Sequence, residues 1–355
     1  RRLLFVAITR AKHGLFLTSH TQSESGKKTM PVKYLHEQEV DGVRHSMALP
    51  EHHATVRVIE REGTVAYQDV DTLWHSRHTE LTPTLQSLLR TRLDHYVMSP
   101  THLNSFTNVE YAGPYAFLLG TLLRFPEAPT PDSMYGDALH RALEQYQKQA
   151  HAGTPLGLHG AIKVFEARMA RGFMSEADKE LYNDRGRTAL KAYIAARGKQ
   201  LATPAGVEVD FRREGCTTND AVLTGKIDRL EIDKAKKTVR IVDFKSGKPS
   251  TRWGTTTKYL NYKQQLYFYV LLIETSRTYR DYSVASGELE FIEPLQNGKC
   301  APPLKLDFKP EEYAHFKKLV LAVWQHIQAV DLPDISTYQA SAAGMKLFEK
   351  DLITD

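Results

Sequence analysis

Cysteine is nearly missing from this chain: Cys216 and Cys300 are the only two among 355 residues. Two thiols cannot build a disulfide framework, a four-cysteine zinc site or a four-cysteine iron–sulfur cluster from this chain, and so sparing a use suits a reducing, cytoplasmic interior. Long hydrophobic runs are missing too. The longest, Leu266 to Ile273, has eight residues, well short of the roughly 20 that span a bilayer, so no membrane is expected as a partner. No secretory leader opens the chain. No phosphate-binding loop occurs either, because Ser246-Gly247-Lys248 lacks the upstream glycine and runs into Pro249 where Ser or Thr should stand. ATP hydrolysis by this chain alone is therefore not expected. It begins at Arg1 rather than at a methionine, in what reads as mid-domain, which suggests the C-terminal part of a longer polypeptide. Neither sign of charge dominates, positive being in small excess at +5 overall, with a pI near 8.9. That permits a polyanionic partner without requiring one.

What is present centres on Leu223 to Gly247, LTGKIDRLEIDKAKKTVRIVDFKSG. Two runs rich in β-branched and apolar residues flank a lysine-rich connection, the pattern of an antiparallel hairpin. With Lys234 to Lys237 as the loop, Ile232 faces Val239, Glu231 faces Arg240 and Leu230 faces Ile241, pairings that a sheet favours. The same register sets Asp228 opposite Asp243. Alternation puts Lys245 on the face of Asp243. Two carboxylates so close repel unless a cation lies between them, and oxygen ligands suit Mg2+ or Mn2+ better than zinc. The lysine two residues on can then position water or balance charge on a phosphoryl oxygen. A solvated ion pair followed by a turn would give the same tripeptide, so the flanking motifs have to decide.

Earlier in the chain, helices are expected over Leu85–Tyr96, over His102–Asn108 with Ser99 as cap, through MYGDALHRALEQYQKQA, over Leu158–Phe173 and over Ser175–Ala196. Tyr111 to Leu123, with Tyr115, Phe117, Leu118, Leu119 and Leu122, reads as core. His140 lies beside a buried stripe and could simply pair with Glu144. His52 and His53 are adjacent on an extended stretch, point apart, and make a poor metal site. After Pro204 strands take over: Val207–Arg212, the hairpin, Leu289–Ile292 and Leu304–Phe308. A helix over Tyr262–Thr275 aligns Tyr262, Gln265 and Tyr269, and another runs from Lys309 to Val330. From Lys245 to Lys263 there are five basic residues and no acid. Lys248, Arg252, Lys258 and Lys263, with Trp253 and Tyr259 between them, form the usual physical kit for single-stranded nucleic acid.

Two resemblances sharpen this reading. RRLLFVAITRAKHGLFLTS, Arg1 to Ser19, resembles the last motif of UvrD-like, superfamily-one DNA helicases, and the resemblance makes Arg10 the γ-phosphate contact, usable only in a full-length helicase. GDALHRALE, TGKIDRLEID, IVDFKSG and QLYFY, in that order over roughly residues 95 to 310, resemble the RecB-family nuclease domain of the PD-(D/E)XK superfamily. That resemblance implies an α/β fold: a restriction-endonuclease-like core, a mixed β-sheet flanked by helices, with an N-terminal helical part. It implies metal ligation by His140, Asp228, Asp243 and the carbonyl of Phe244, catalysis by Asp228, Asp243 and Lys245, and Gln265 and Tyr269 lining the site. Glu208 matches an acidic position often seen upstream and is a secondary candidate. Asp228 is not preceded by proline, a common departure, and the missing cysteines exclude the iron–sulfur AddB type.

Helicase motif before nuclease motifs is the order of RecB and AddA helicase-nucleases. The expected organisation is a helicase remnant over 1–50, a linker over 51–95 and the nuclease domain over 96–355. The expected activity is a Mg2+- or Mn2+-dependent deoxyribonuclease, an exonuclease acting on single-stranded DNA or duplex ends in repair or recombination, with the rest of a helicase polypeptide or complex as partner. The alternative is a non-catalytic DNA-binding module at the end of such a helicase; a purely structural C-terminal domain predicts no basic loop beside the acids.

Overall fold

The structure, a computed structural model, describes residues 83–111, 113–125, 129–172 and 174–354, together with a hairpin of β1 (Glu37–Val40) and β2 (Val43–Ser46). The helicase-like motif with Arg10, and His52 and His53, lie outside the described residues. The chain divides into two compact units, Arg1–Glu80 and Leu81–Asp355, and everything that follows concerns the second.

Helices α1 (Pro83–Leu93), α2 (Pro100–Thr107) and α3 (Gly113–Phe117, continued by a π turn to Leu122) come first. Ser99 caps α2 as expected, its hydroxyl accepting from the His102 N–H at 3.2 Å ahead of Pro100 in the first turn. The stretch after Tyr111 is core at Phe117, Leu118 and Leu122, whereas Tyr115 is exposed, contrary to expectation. Next come α4 (Pro131–His151), α5 (Gly157–Met169) and α6 (Glu176–Ala202). Strand β3 (Gly206–Asp210), the small pair β4 (Thr217–Thr218) and β5 (Ala221–Val222), and the long hairpin β6 (Lys226–Asp233) and β7 (Thr238–Lys245) follow. The chain closes with α7 (Thr257–Thr275), β8 (Ser283–Phe291), β9 (Leu304–Leu306), α8 (Pro310–Ala329) and α9 (Ala342–Thr354).

Five strands form one mixed sheet in the order β3-β6-β7-β8-β9. Only β7 and β8 are parallel, and α7 is the crossover that a parallel pair requires. The hairpin register is the expected one: Ile232 pairs with Val239, Glu231 with Arg240 and Leu230 with Ile241. Sequence alternation then sorts β7 between two cores. Val239 and Ile241 join the cluster built with α2, α7, α8 and α9, while Val242 and Phe244 join the one built with α4, α5 and α6. Helices therefore cover both faces, so the fold is the α/β, restriction-endonuclease-like arrangement expected.

Arg229 locks the second layer. Fully buried, its guanidinium donates to Gln147 Oε1 and to the carbonyls of Gln200, Leu201 and Thr203, which closes the C-terminal end of α6 against β6. Among the described residues, no helix is long and apolar enough to cross a membrane.

Candidate active site

Three acids stand in a row across one end of the sheet. The pairings on either side of Glu208 and Asp228 put those two residues opposite each other on β3 and β6, and the β6–β7 register continues Asp228 toward Asp243. Helices on the two faces complete the row. His140 comes from α4, with its Nδ1 3.4 Å from Asp228 Oδ1, and Gln265 and Tyr269 come from α7. Glu144, the other partner considered for His140, is instead held at 2.7 Å by both Arg141 and Lys148.

Asp228 is fixed by the backbone N–H of Phe244, which donates to its Oδ2 at 2.7 Å. Asp243 Oδ1 accepts from Gln265 Nε2 at 2.9 Å and from the Tyr269 hydroxyl at 3.0 Å. Its other oxygen, Oδ2, is ion-paired with Lys245 Nζ at 2.7 Å. Gln265 bridges the pair by taking the Lys245 ammonium on its Oε1 at 2.6 Å. Asp243, Lys245, Gln265 and Tyr269 thus form one clamp.

Among the described residues, the grouping that offers ligand atoms within 4.8 Å of one another is His140, Glu208 and Asp228. Asp243, expected as the third ligand, lies beside that trio with one oxygen already given to α7, and Glu208, expected as secondary, is inside it. Glu208 takes its place through an uncommon backbone: φ is +54°, in the left-handed region that costs a non-glycine residue about 1–3 kcal/mol. Strain of this kind persists where the surroundings over-determine it, and here it turns the edge-strand acid toward its neighbours. Phe244, expected to lend its carbonyl, contributes its N–H, and its ring packs edge-on against His140 at 6.2 Å.

The electrostatics follow from crowding acids in a dry place. Burial alone would lower the pKa of His140, but Asp228, then Asp243 and Glu208, outweigh it and push the imidazole up to about 9. Burial works to raise Asp228; the neighbouring His140 and the Phe244 N–H prevail and hold its carboxyl below the usual range. Asp243 and Glu208 are both pushed up, by burial first and by the charge of Asp228. An imidazole nitrogen and two carboxylates at one point match the donor set of a divalent cation site.

Two residues at the site were not anticipated. Lys226 pairs with Glu208, and its signal was present: Lys226-Ile227-Asp228 mirrors Asp243-Phe244-Lys245 on the partner strand. Gly136 lies one turn before His140, where a Cβ would meet Ser246 Oγ at 2.9 Å, so a larger residue there would make the Ser246 side chain move aside.

The basic stretch leaves this site as expected, with Lys248, Arg252 and Lys258 spread over the loop and the first turn of α7. Trp253 and Tyr259 are half-buried and pack edge to face on each other at 6.3 Å, and Trp253 Nε1 donates to the Lys305 carbonyl at 2.7 Å. Lys263 Nζ lies 5.6 Å from the Trp253 ring. An open cleft of about 490 Å³ adjoins the clamp, lined by Ser99, Thr101, Thr224, Lys226, Gln265 and Tyr269 among others.

No curated protein sequence matches the chain. A solved structure of a "putative exonuclease" from Eubacterium rectale is similar at 10% identity, over 72% of this chain and 89% of that one, with a TM-score of 0.47. A family model described as the PD-(D/E)XK nuclease superfamily matches residues 97–339, which include every side chain of the row of acids and of the clamp. With that match spanning well over half of its length, the chain belongs to the PD-(D/E)XK nuclease superfamily.

Proposed function

We propose that the chain is a metal-dependent deoxyribonuclease that hydrolyses phosphodiester bonds, an exonuclease forming the nuclease end of a helicase-nuclease in DNA repair or recombination. The observation that carries the reading is the placement of Lys245: its ammonium is held between Asp243 and Gln265, directly beside the His140, Glu208 and Asp228 cluster. Binding alone has no use for three carboxylates facing a polyanion. His140, Glu208 and Asp228 would hold Mg2+ or Mn2+, with Asp243 next to them; such an ion supplies a water of lowered pKa and neutralises charge on the phosphate.

The chain's own residues supply the rest. His140 and the Phe244 N–H keep Asp228 ionised, and the N–H orients it. Gln265 and Tyr269 hold Asp243 still, and Lys245 presents a fixed positive charge to a phosphoryl oxygen, placed before the substrate arrives. Lys248, Arg252 and Lys258 attract the DNA backbone over a longer range. The helicase context rests on the Arg1–Ser19 motif and the order of motifs.

Labelled single-stranded and duplex DNA, incubated with Mg2+, Mn2+ or EDTA, tests the reading. Cleavage should require the metal, and Lys245→Ala should lose it by orders of magnitude while DNA affinity stays within about twofold. Normal cleavage by Lys245→Ala would remove the mechanism, and metal-independent binding without cleavage would favour a DNA-binding module instead.

A further inference from the structure

Lys245 has a third contact that the clamp leaves out. Besides Asp243 Oδ2 at 2.7 Å and Gln265 Oε1 at 2.6 Å, its Nζ lies 4.4 Å from the centroid of the Tyr262 ring. Helical spacing accounts for this, since Tyr262 precedes Gln265 by three residues on α7 and the two share a face. The ring is itself held. Tyr259 meets it at 6.0 Å and 85°, Trp253 meets Tyr259 in turn, and Trp253 is tied to the Lys305 carbonyl.

An ammonium on a flexible four-carbon stem follows whichever oxygen attracts it most. Asp243 and Gln265 attract it within the site, but an approaching phosphodiester brings a full negative charge of its own that competes for it. An aromatic face adds an attraction of another kind: it draws a cation through its quadrupole and takes no proton from it. We propose that Tyr262 is a positioning residue for Lys245, its ring face keeping the ammonium over Asp243 and Gln265 as the phosphodiester approaches. This rests on the nuclease reading above and adds a residue to it.

Ring chemistry provides the test, because fluorination drains the π face while the shape changes little. In the full chain, position 262 is replaced by Phe, by Leu and by phenylalanines bearing one, two and three ring fluorines, and kcat and KM for DNA cleavage are measured. Tyr262→Phe should cleave within about twofold of wild type. Tyr262→Leu should lose kcat by roughly tenfold, the scale of a partly desolvated cation–π contact, with KM unchanged. The fluorinated series should fall stepwise between them. Lys258 Nζ lies 5.6 Å from the same ring, so the series is repeated with Lys258→Ala, and the same steps in kcat are expected.

Wild-type rates in Tyr262→Leu would overturn the proposal. So would fluorinated rings that all match Phe, since the ring would then act only as packing, or an effect on KM instead of kcat, since it would then be a DNA contact. Lys245→Ala, run in parallel, separates the two levels: if it cleaves normally, the nuclease reading fails first and takes the positioning role with it.

Discussion

Glu349 is a buried acid outside the site that lets the pH response of the fold be worked out in advance. It lies on α9 and accepts a hydrogen bond from Gln264 Nε2 at 2.6 Å, so it joins α9 to the helix that carries Gln265. Burial pushes its carboxyl up to about 7, only partly offset by that hydrogen bond and by Lys346. The unfolded value is about 4.3. Between those two values the folded protein binds the proton that the unfolded chain has released, so stability falls as pH rises from about 4.5 to 7 and levels off above. The gap of roughly 2.5 units corresponds to about 3 kcal/mol at 1.36 kcal/mol per unit. Glu349→Gln removes the ionisation, keeps an oxygen for Gln264 Nε2, and brings an NH2 group near the Gln264 Oε1, which is buried without a donor. Urea unfolding at pH 4.5 and pH 8 is the measurement. Wild type and variant should agree within about 1 kcal/mol at pH 4.5, and the variant should be more stable by up to about 3 kcal/mol at pH 8, with equal m-values. Parallel pH profiles for the two proteins would show that Glu349 titrates normally and that this corner of the fold is wet.

Calorimetric titration with Mn2+ should show a site that Asp228→Asn abolishes and Glu208→Gln weakens; unchanged heats in both variants would remove the cation from the reading. Replacing Lys248, Arg252 and Lys258 together by Ala should weaken DNA binding and flatten its salt dependence by up to about three units of slope, near 0.7 to 0.9 for each phosphate that is no longer neutralised. An unaltered slope would take the basic loop out of the DNA path.

How far these residues could be read in advance depended on whether neighbours constrained them. The β6–β7 register was legible because a slip by one residue would set Ile232 and Leu230 against the wrong face and part Glu231 from Arg240, which it holds by a salt bridge. The ends of α7 and β8 were less so. The helix starts at Thr257, five residues before the expected Tyr262, because polar Lys258 and Asn261 hide its first turn, and β8 begins at Ser283 through a stretch too polar to stand out as a strand. Helix α9 went unread, although Met345, Phe348 and Leu352 face the core at helical spacing. Trp253 and Tyr259 suggested a platform for bases; composition does not reveal that the two rings also pack edge to face on each other. The largest gap was Glu208. Its rank rose from secondary to central through a left-handed φ that no residue type announces.

That backbone has an effect away from the chemistry. Strand β3 is an outer strand of the sheet, and its ladder to β6 runs from Gly206 to Asp210 with a gap at Glu208. An uninterrupted outer strand is a template on which a strand from another chain can dock, the first step in many aggregates. Here the residue that turns an acid inward also breaks the row of N–H and C=O groups that an incoming strand would need. Relaxing position 208 to an ordinary extended residue would lay that row open to self-association.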